Sequence, residues 1–148
     1  MQQKQARFSR STRQHISLLV AGTGALLTCL VCGCRDPARD HMQAIMKRAQ
    51  QQYSPAQLQA TVVNVCATNQ SQVEIKDIPR EILSLSDTKP FFGWIMEDEA
   101  GHRMLNVEWG GEMFSWGIGV CPPGGVLVTN IRGANIYYWS DGVFFYYE

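Results

Sequence analysis

The sequence predicts an α+β domain in which one or two short N-terminal helices pack on a five- or six-stranded antiparallel β-meander. Apolar residues between positions 38 and 53 recur at spacings of three and four, as they do on one face of a helix. From Phe91 onward, short apolar runs alternate with turns rich in glycine and proline, which is typical of strands. Asp141-Gly142 stands between two aromatic runs and predicts a tight hairpin.

The first helix is predicted to begin at Asp36-Pro37, because aspartate is a favoured N-cap and proline fits the first helical position. Ser54-Pro55 repeats this signal and predicts a second, shorter helix. The β-branched run at 61–63 leaves a strand as the alternative there. The stripe of the first helix, which we expect to face the sheet, comprises Ala38, Met42, Ile45, Met46, Ala49 and Tyr53.

Residues 70–90 connect the helices to the sheet and include a candidate short strand at 73–75 and a candidate helical turn at 78–83. Short links between the strands beyond them favour antiparallel neighbours, and Asp141-Gly142 favours a type I′ turn. The predicted strands are Phe91–Glu97, Arg103–Trp109, Met113–Val120, Val126–Ile131, Ile136–Trp139 and Val143–Tyr147.

Alternation along three of these strands predicts which residues face the core. The helices are expected to cover that face of the sheet. The predicted core positions are Phe92, Trp94 and Met96 on the first strand, Leu105, Val107 and Trp109 on the second, and Phe114, Trp116, Ile118 and Val120 on the third.

The N-terminal segment has the parts of a secretory signal: basic residues first, then an apolar run at 16–31 that is short for a membrane span. Val31-Cys32-Gly33-Cys34 follows and resembles the lipobox of bacterial lipoproteins. The resemblance implies cleavage before Cys34 and acylation of its thiol. The resulting divisions are a signal peptide (1–33), a helical segment (34–69), a linker (70–90) and a sheet (91–148) that packs with the helical segment as one domain. An uncleaved signal anchor is the alternative.

A lipidated Cys34 implies a protein that is exported and attached to a membrane of the bacterial cell envelope. Arg35 follows the cysteine, and by the same resemblance this favours the outer membrane over the inner. All 13 acidic residues lie beyond Cys34, with nine of the 13 basic ones, so the mature region carries a net charge of −4. That charge argues against nucleic acid as a partner.

Cys66 and Cys121 are the remaining cysteines after cleavage and acylation. Export makes a disulfide between them possible, which would close a loop of about 55 residues. Two buried thiols that act as small apolar side chains are the alternative, and the spacing does not distinguish the two.

The C-terminal hairpin holds seven of the chain's 15 aromatic residues within its last 12 positions. Consecutive aromatics place rings on both faces of each strand, so one face is predicted to be core and the other a surface for an envelope protein or cell-wall partner. Tyr138, Tyr146 and Trp139 are the candidate binding residues. Cross-strand packing of all the rings is the alternative.

No nucleophile elbow, phosphate loop or zinc motif is present in the sequence. We therefore predict no cofactor, no metal and a non-catalytic binding or structural module. The alternative function is a small envelope hydrolase for cell-wall or glycan substrates that uses Glu108, Glu112 or His102.

Overall fold

The computed structural model describes residues 36–68, 71–111, 113–125 and 133–148. The predicted signal peptide (1–33), Cys34, Glu112 and the predicted strand Val126–Ile131 lie outside these ranges. The helices within them are α1 (Pro37–Gln52), α2 (Pro55–Thr61), α3 (Val63–Thr68) and α4 (Arg80–Leu83), with a short 3₁₀ helix at Ile75–Asp77. The strands are β1 (Gln72–Val73), β2 (Phe92–Glu97), β3 (Arg103–Gly110), β4 (Ser115–Val120), β5 (Asn135–Ser140) and β6 (Val143–Tyr147).

These elements confirm the α+β class and the antiparallel sheet. The six strands lie in the order β1-β2-β3-β4-β6-β5, and every neighbouring pair is antiparallel. The order departs from a simple meander at one place, because β6 lies between β4 and β5. As a result β4 and β5 run parallel to each other.

One face of the sheet packs on the helices, and we call it the helix-covered face. Here α1 buries Ala38, Met42, Ile45 and Ala49, so the predicted stripe of this helix is confirmed. The sheet residues that share this core are Val73, Ile95, Leu105, Val107, Trp109, Trp116, Ile118, Val120, Val143, Phe145 and Tyr147.

The opposite face, which we call the second face, has its own smaller cluster. Met104, Cys121, Phe144 and Tyr146 are buried in it, with Trp94, Met96, Ala134 and Ile136 packed around them. The two ends of the connection between β4 and β5, Cys121 and Ala134, are both part of this cluster.

The prediction that Phe92, Trp94 and Met96 face the helices is wrong. Ile95 pairs with Leu105, and this register turns Gly93 and Ile95 toward the helices instead. Ile78 packs against Gly93, where an added Cβ atom would lie 3.0 Å from its Cδ1 atom. The connecting segment thus supplies the apolar group that Gly93 lacks.

Turn geometry corrects two further predictions. The hairpin at Asp141-Gly142 is present, but of the two residues only Gly142 has a positive φ, at 87°, so the turn is not type I′. A register shift between Tyr138 and Ser140 accommodates the different turn. Phe114 precedes β4 and is 48% exposed rather than buried. Among the described residues, no helix combines the length and the apolar character that a membrane crossing requires.

Candidate functional site

An open groove of about 540 Å³ lies where β3 ends and β4 begins, beside the first turn of α1. We call it the hairpin groove. Its walls come from two elements that are far apart in sequence and meet only through the packing of α1 on the sheet. The lining residues are Pro37, His41, Gly110, Gly111, Met113, Phe114 and Trp116.

The start of α1 is fixed by its cap. The Oδ1 atom of Asp36 accepts hydrogen bonds from the backbone N–H groups of Ala38, at 3.1 Å, and Arg39, at 3.2 Å. Pro37 occupies the first turn, where its missing N–H group leaves no donor unsatisfied. Local sequence signals therefore place His41, one turn later, over the groove.

An aromatic pair forms one side of the groove. The ring of His41 stacks on Trp116, with centroids 4.4 Å apart and planes at 16°. Trp116 is only 9% exposed, and its Nε1 atom is buried without a hydrogen-bond partner. Trp116 therefore contributes a ring surface to this side of the groove, and the imidazole nitrogens of His41 are its hydrogen-bonding groups.

The other side is the tip of the β3–β4 hairpin, where Met113 is 82% exposed and Phe114 is 48% exposed. The N–H group of Gly111 donates to the carbonyl of Phe114 at 3.0 Å and closes the turn. Gly110 has a φ of 104°, and a Cβ atom there would overlap the Phe114 carbonyl. The turn therefore requires glycine at this position and holds two large apolar side chains toward solvent.

Phe91 adds a third exposed apolar side chain, 55% exposed, at the same end of the sheet. The N–H group of Phe91 donates to the carbonyl of Glu108 at 2.7 Å, and this bond holds Phe91 beside the C-terminal end of β3. Half of the six large apolar side chains that the described residues leave exposed are therefore at this end. We call Phe91, Met113 and Phe114 the apolar end.

The second face contains a buried polar group that sequence patterns did not reveal. The hydroxyl of the fully buried Tyr146 donates to Oε2 of Glu108 at 3.4 Å. Burial and the nearby Glu148 carboxylate raise the pKa of Glu108, and burial beside Glu108 raises the pKa of Tyr146 well above its ordinary value. Asn106 is also fully buried, and neither atom of its amide has a hydrogen-bond partner.

The structure separates two of the proposed hydrolase residues, His102 and Glu108, and the third, Glu112, lies outside the described residues. His102 lies just before β3, where its Nδ1 atom is 2.7 Å from Oδ2 of Asp98. Glu108 lies near the far end of the same strand, roughly 20 Å away for an extended chain. The side-chain hydrogen bond with His102 and the backbone N–H groups of His102 and Ala100 lower the pKa of Asp98, as expected for a carboxylate that orders a turn.

The three candidate aromatic residues of the C-terminal hairpin also occupy different environments. Tyr138 is 60% exposed on β5. Trp139 is partly buried on the helix-covered face, with its ring 6.1 Å from that of Phe145. Tyr146 is buried on the second face. Of the three, only Tyr138 is available as a surface residue.

Cys66 and Cys121 are both buried and are not bridged to each other. Cys66 belongs to the helix-side core, whereas Cys121 belongs to the cluster on the second face. Burial raises the pKa of the Cys66 thiol, which keeps it protonated and unreactive.

Sequence analysis missed the hairpin groove because Met113 and Phe114 were assigned to a strand. The available signal was an apolar pair directly after Gly110-Gly111, in a position where a hairpin tip is expected. The described residues contain no group of three or more histidine, cysteine or acidic side chains that could hold a metal ion. No protein family, curated protein or solved structure matches the chain.

Proposed function

We propose that this protein is a lipid-anchored cell-envelope protein whose α+β domain is a non-catalytic binding module. The observation that carries the proposal is the junction at Cys34: a lipobox-like sequence ends two residues before the cap of α1. Such a short junction tethers the domain directly at the membrane surface. By its resemblance to lipoproteins with a similar residue after the cysteine, Arg35 favours the outer membrane.

Two observations favour a binding module over a hydrolase. His102 and Glu108 lie at opposite ends of β3, too far apart to act on one bond. In addition, β5 pairs with one described strand, β6, and carries the exposed Tyr138. A strand with an exposed ring and, among the described residues, a single pairing partner is suited to contact a protein or a cell-wall partner.

The anchor is tested by metabolic labelling of the full chain in a bacterial host with an alkyne analogue of palmitate. We expect the label on the processed protein, loss of the label in Cys34→Ala, and its retention in Cys32→Ala as the matched control. Blocking lipoprotein signal peptidase should cause the unprocessed chain to accumulate. An unlabelled protein that still begins at Met1 would overturn the anchor.

The binding surface is tested by a photoreactive phenylalanine analogue placed at Tyr138 of the full chain in the intact envelope. We expect a crosslinked product of one defined mass, absent when the analogue replaces Ala100, an exposed residue in the β2–β3 turn. If both positions give the same products, or neither gives one, β5 is not a partner surface.

A further inference from the structure

We infer that the apolar end of the domain, formed by Phe91, Met113 and Phe114, lies against the lipid surface once Cys34 is acylated. The inference rests on the proposed lipid anchor and adds an orientation to it. The β3–β4 hairpin tip points toward the bilayer, and the β2–β3 turn points away from it. The hairpin groove then lies beside the membrane rather than in bulk solvent.

Covalent geometry places the acyl chains at this end. Cys34 precedes Asp36 by two residues, so their Cα atoms are at most about 7 Å apart. Asp36 caps α1, and the next residue, Pro37, lines the groove together with Met113 and Phe114. The acylated residue is therefore tethered within about 7 Å of the cap of α1, and that cap borders the hairpin groove.

The exposure of the tip is what a lipid contact requires. Met113 and Phe114 are large apolar side chains that no described part of the domain covers, and Gly110 and Gly111 fix the turn that presents them. Burial of such side chains at the boundary between headgroups and acyl chains is favourable. Since several acyl chains already anchor a protein stably, the contact sets orientation more than affinity.

Charge does not set this orientation, because carboxylates lie near both ends of β3. Glu97, Asp98 and Glu99 lie at the β2–β3 turn, a full strand length, roughly 25 Å, from the hairpin tip. At the tip end, the backbone of Glu148 pairs with Ser115, so an acidic side chain is present there too. The contact is therefore apolar rather than electrostatic, and we expect it on zwitterionic lipid as well as on anionic lipid.

The experiment uses full-length, acylated protein reconstituted into phosphatidylcholine vesicles that contain a lipid with a nitroxide near the headgroup. An environment-sensitive fluorophore is attached to Met113→Cys and, as the matched control, to Ala100→Cys at the opposite end of β3. Both native positions are exposed, whereas Cys66 and Cys121 are buried and stay unlabelled under native conditions. Circular dichroism and the unfolding midpoint verify that each variant is folded.

We expect the nitroxide to quench the fluorophore at position 113 several-fold more than at position 100, with a blue shift at position 113 alone. Equal quenching at both positions on protein that carries its acyl chains would overturn the orientation and leave the anchor intact. Blue-shifted emission at position 113 that depends on protein concentration and not on the nitroxide would overturn it in favour of contact between two copies. Absence of the acyl chains would overturn the anchor and this inference together.

Discussion

At the scale of single residues, β4 is built around two glycines that accommodate rings from β6. A Cβ atom at Gly117 would overlap the ring of Tyr146, and one at Gly119 would overlap the ring of Phe144. The register places Gly117 opposite Tyr146 and Gly119 opposite Phe144, so each ring lies against bare backbone. The two rings are also 6.0 Å apart and pack on each other. The sequence shows these glycines but not the rings above them, because only the strand order brings β6 beside β4.

This packing predicts a large effect for one added methyl group. Gly119→Ala should lower the free energy of unfolding by about 1–3 kcal/mol, because the new Cβ atom forces the buried Phe144 ring to move. Gly111→Ala is the matched control, since a Cβ atom there has no other atom within 4 Å. Urea unfolding followed by tryptophan fluorescence measures both variants. Equal midpoints for the two would contradict the proposed contact between Phe144 and β4.

At the scale of elements, α1 could be predicted almost completely, whereas β2 could not. The helix depends on a cap, a proline and a periodic stripe that lie within its own residues, and all three signals are confirmed. For β2, alternation correctly grouped Phe92, Trp94 and Met96 on one face but assigned that face to the helices. The pattern assigned the core to the face with three large apolar residues rather than to the face that carries Ile95. The structure reverses the assignment because Ile78 fills the space above Gly93.

The hairpin groove shows the same limit. Each wall depends on local sequence: the Asp36 cap positions His41, and Gly110 positions Phe114. The contact between the walls depends on the packing of α1 over β4, which local sequence does not contain. A turn that holds exposed apolar residues is also less common than a polar one, so strand propensity assigned Met113 and Phe114 to β4. The candidate site is therefore visible in the sequence only as separate parts.

At the scale of the whole domain, the sheet separates two apolar clusters. The core on the helix-covered face contains the buried residues of α1 and most of the buried residues of the sheet. The cluster on the second face contains Met104, Cys121, Phe144 and Tyr146. Sequence patterns predicted one core because they counted helices as the only cover for the sheet. Cys121 and Ala134, which lie beyond β4 and before β5, both pack on the second face, and this contact depends on a strand order that local sequence patterns do not contain.

The two clusters determine the state of the cysteines. Cys66 packs in the core on the helix-covered face and Cys121 packs in the cluster on the second face, so the sheet lies between the two side chains. We expect both residues to resist a maleimide reagent in the native protein and to react once urea unfolds the chain, with no reductant added. Met113→Cys, which is exposed, serves as the positive control for labelling under native conditions. Mass spectrometry counts the added groups. If Cys66 and Cys121 stay unmodified in urea until a reductant is supplied, a bridge joins them and the separation of the two clusters by the sheet is wrong.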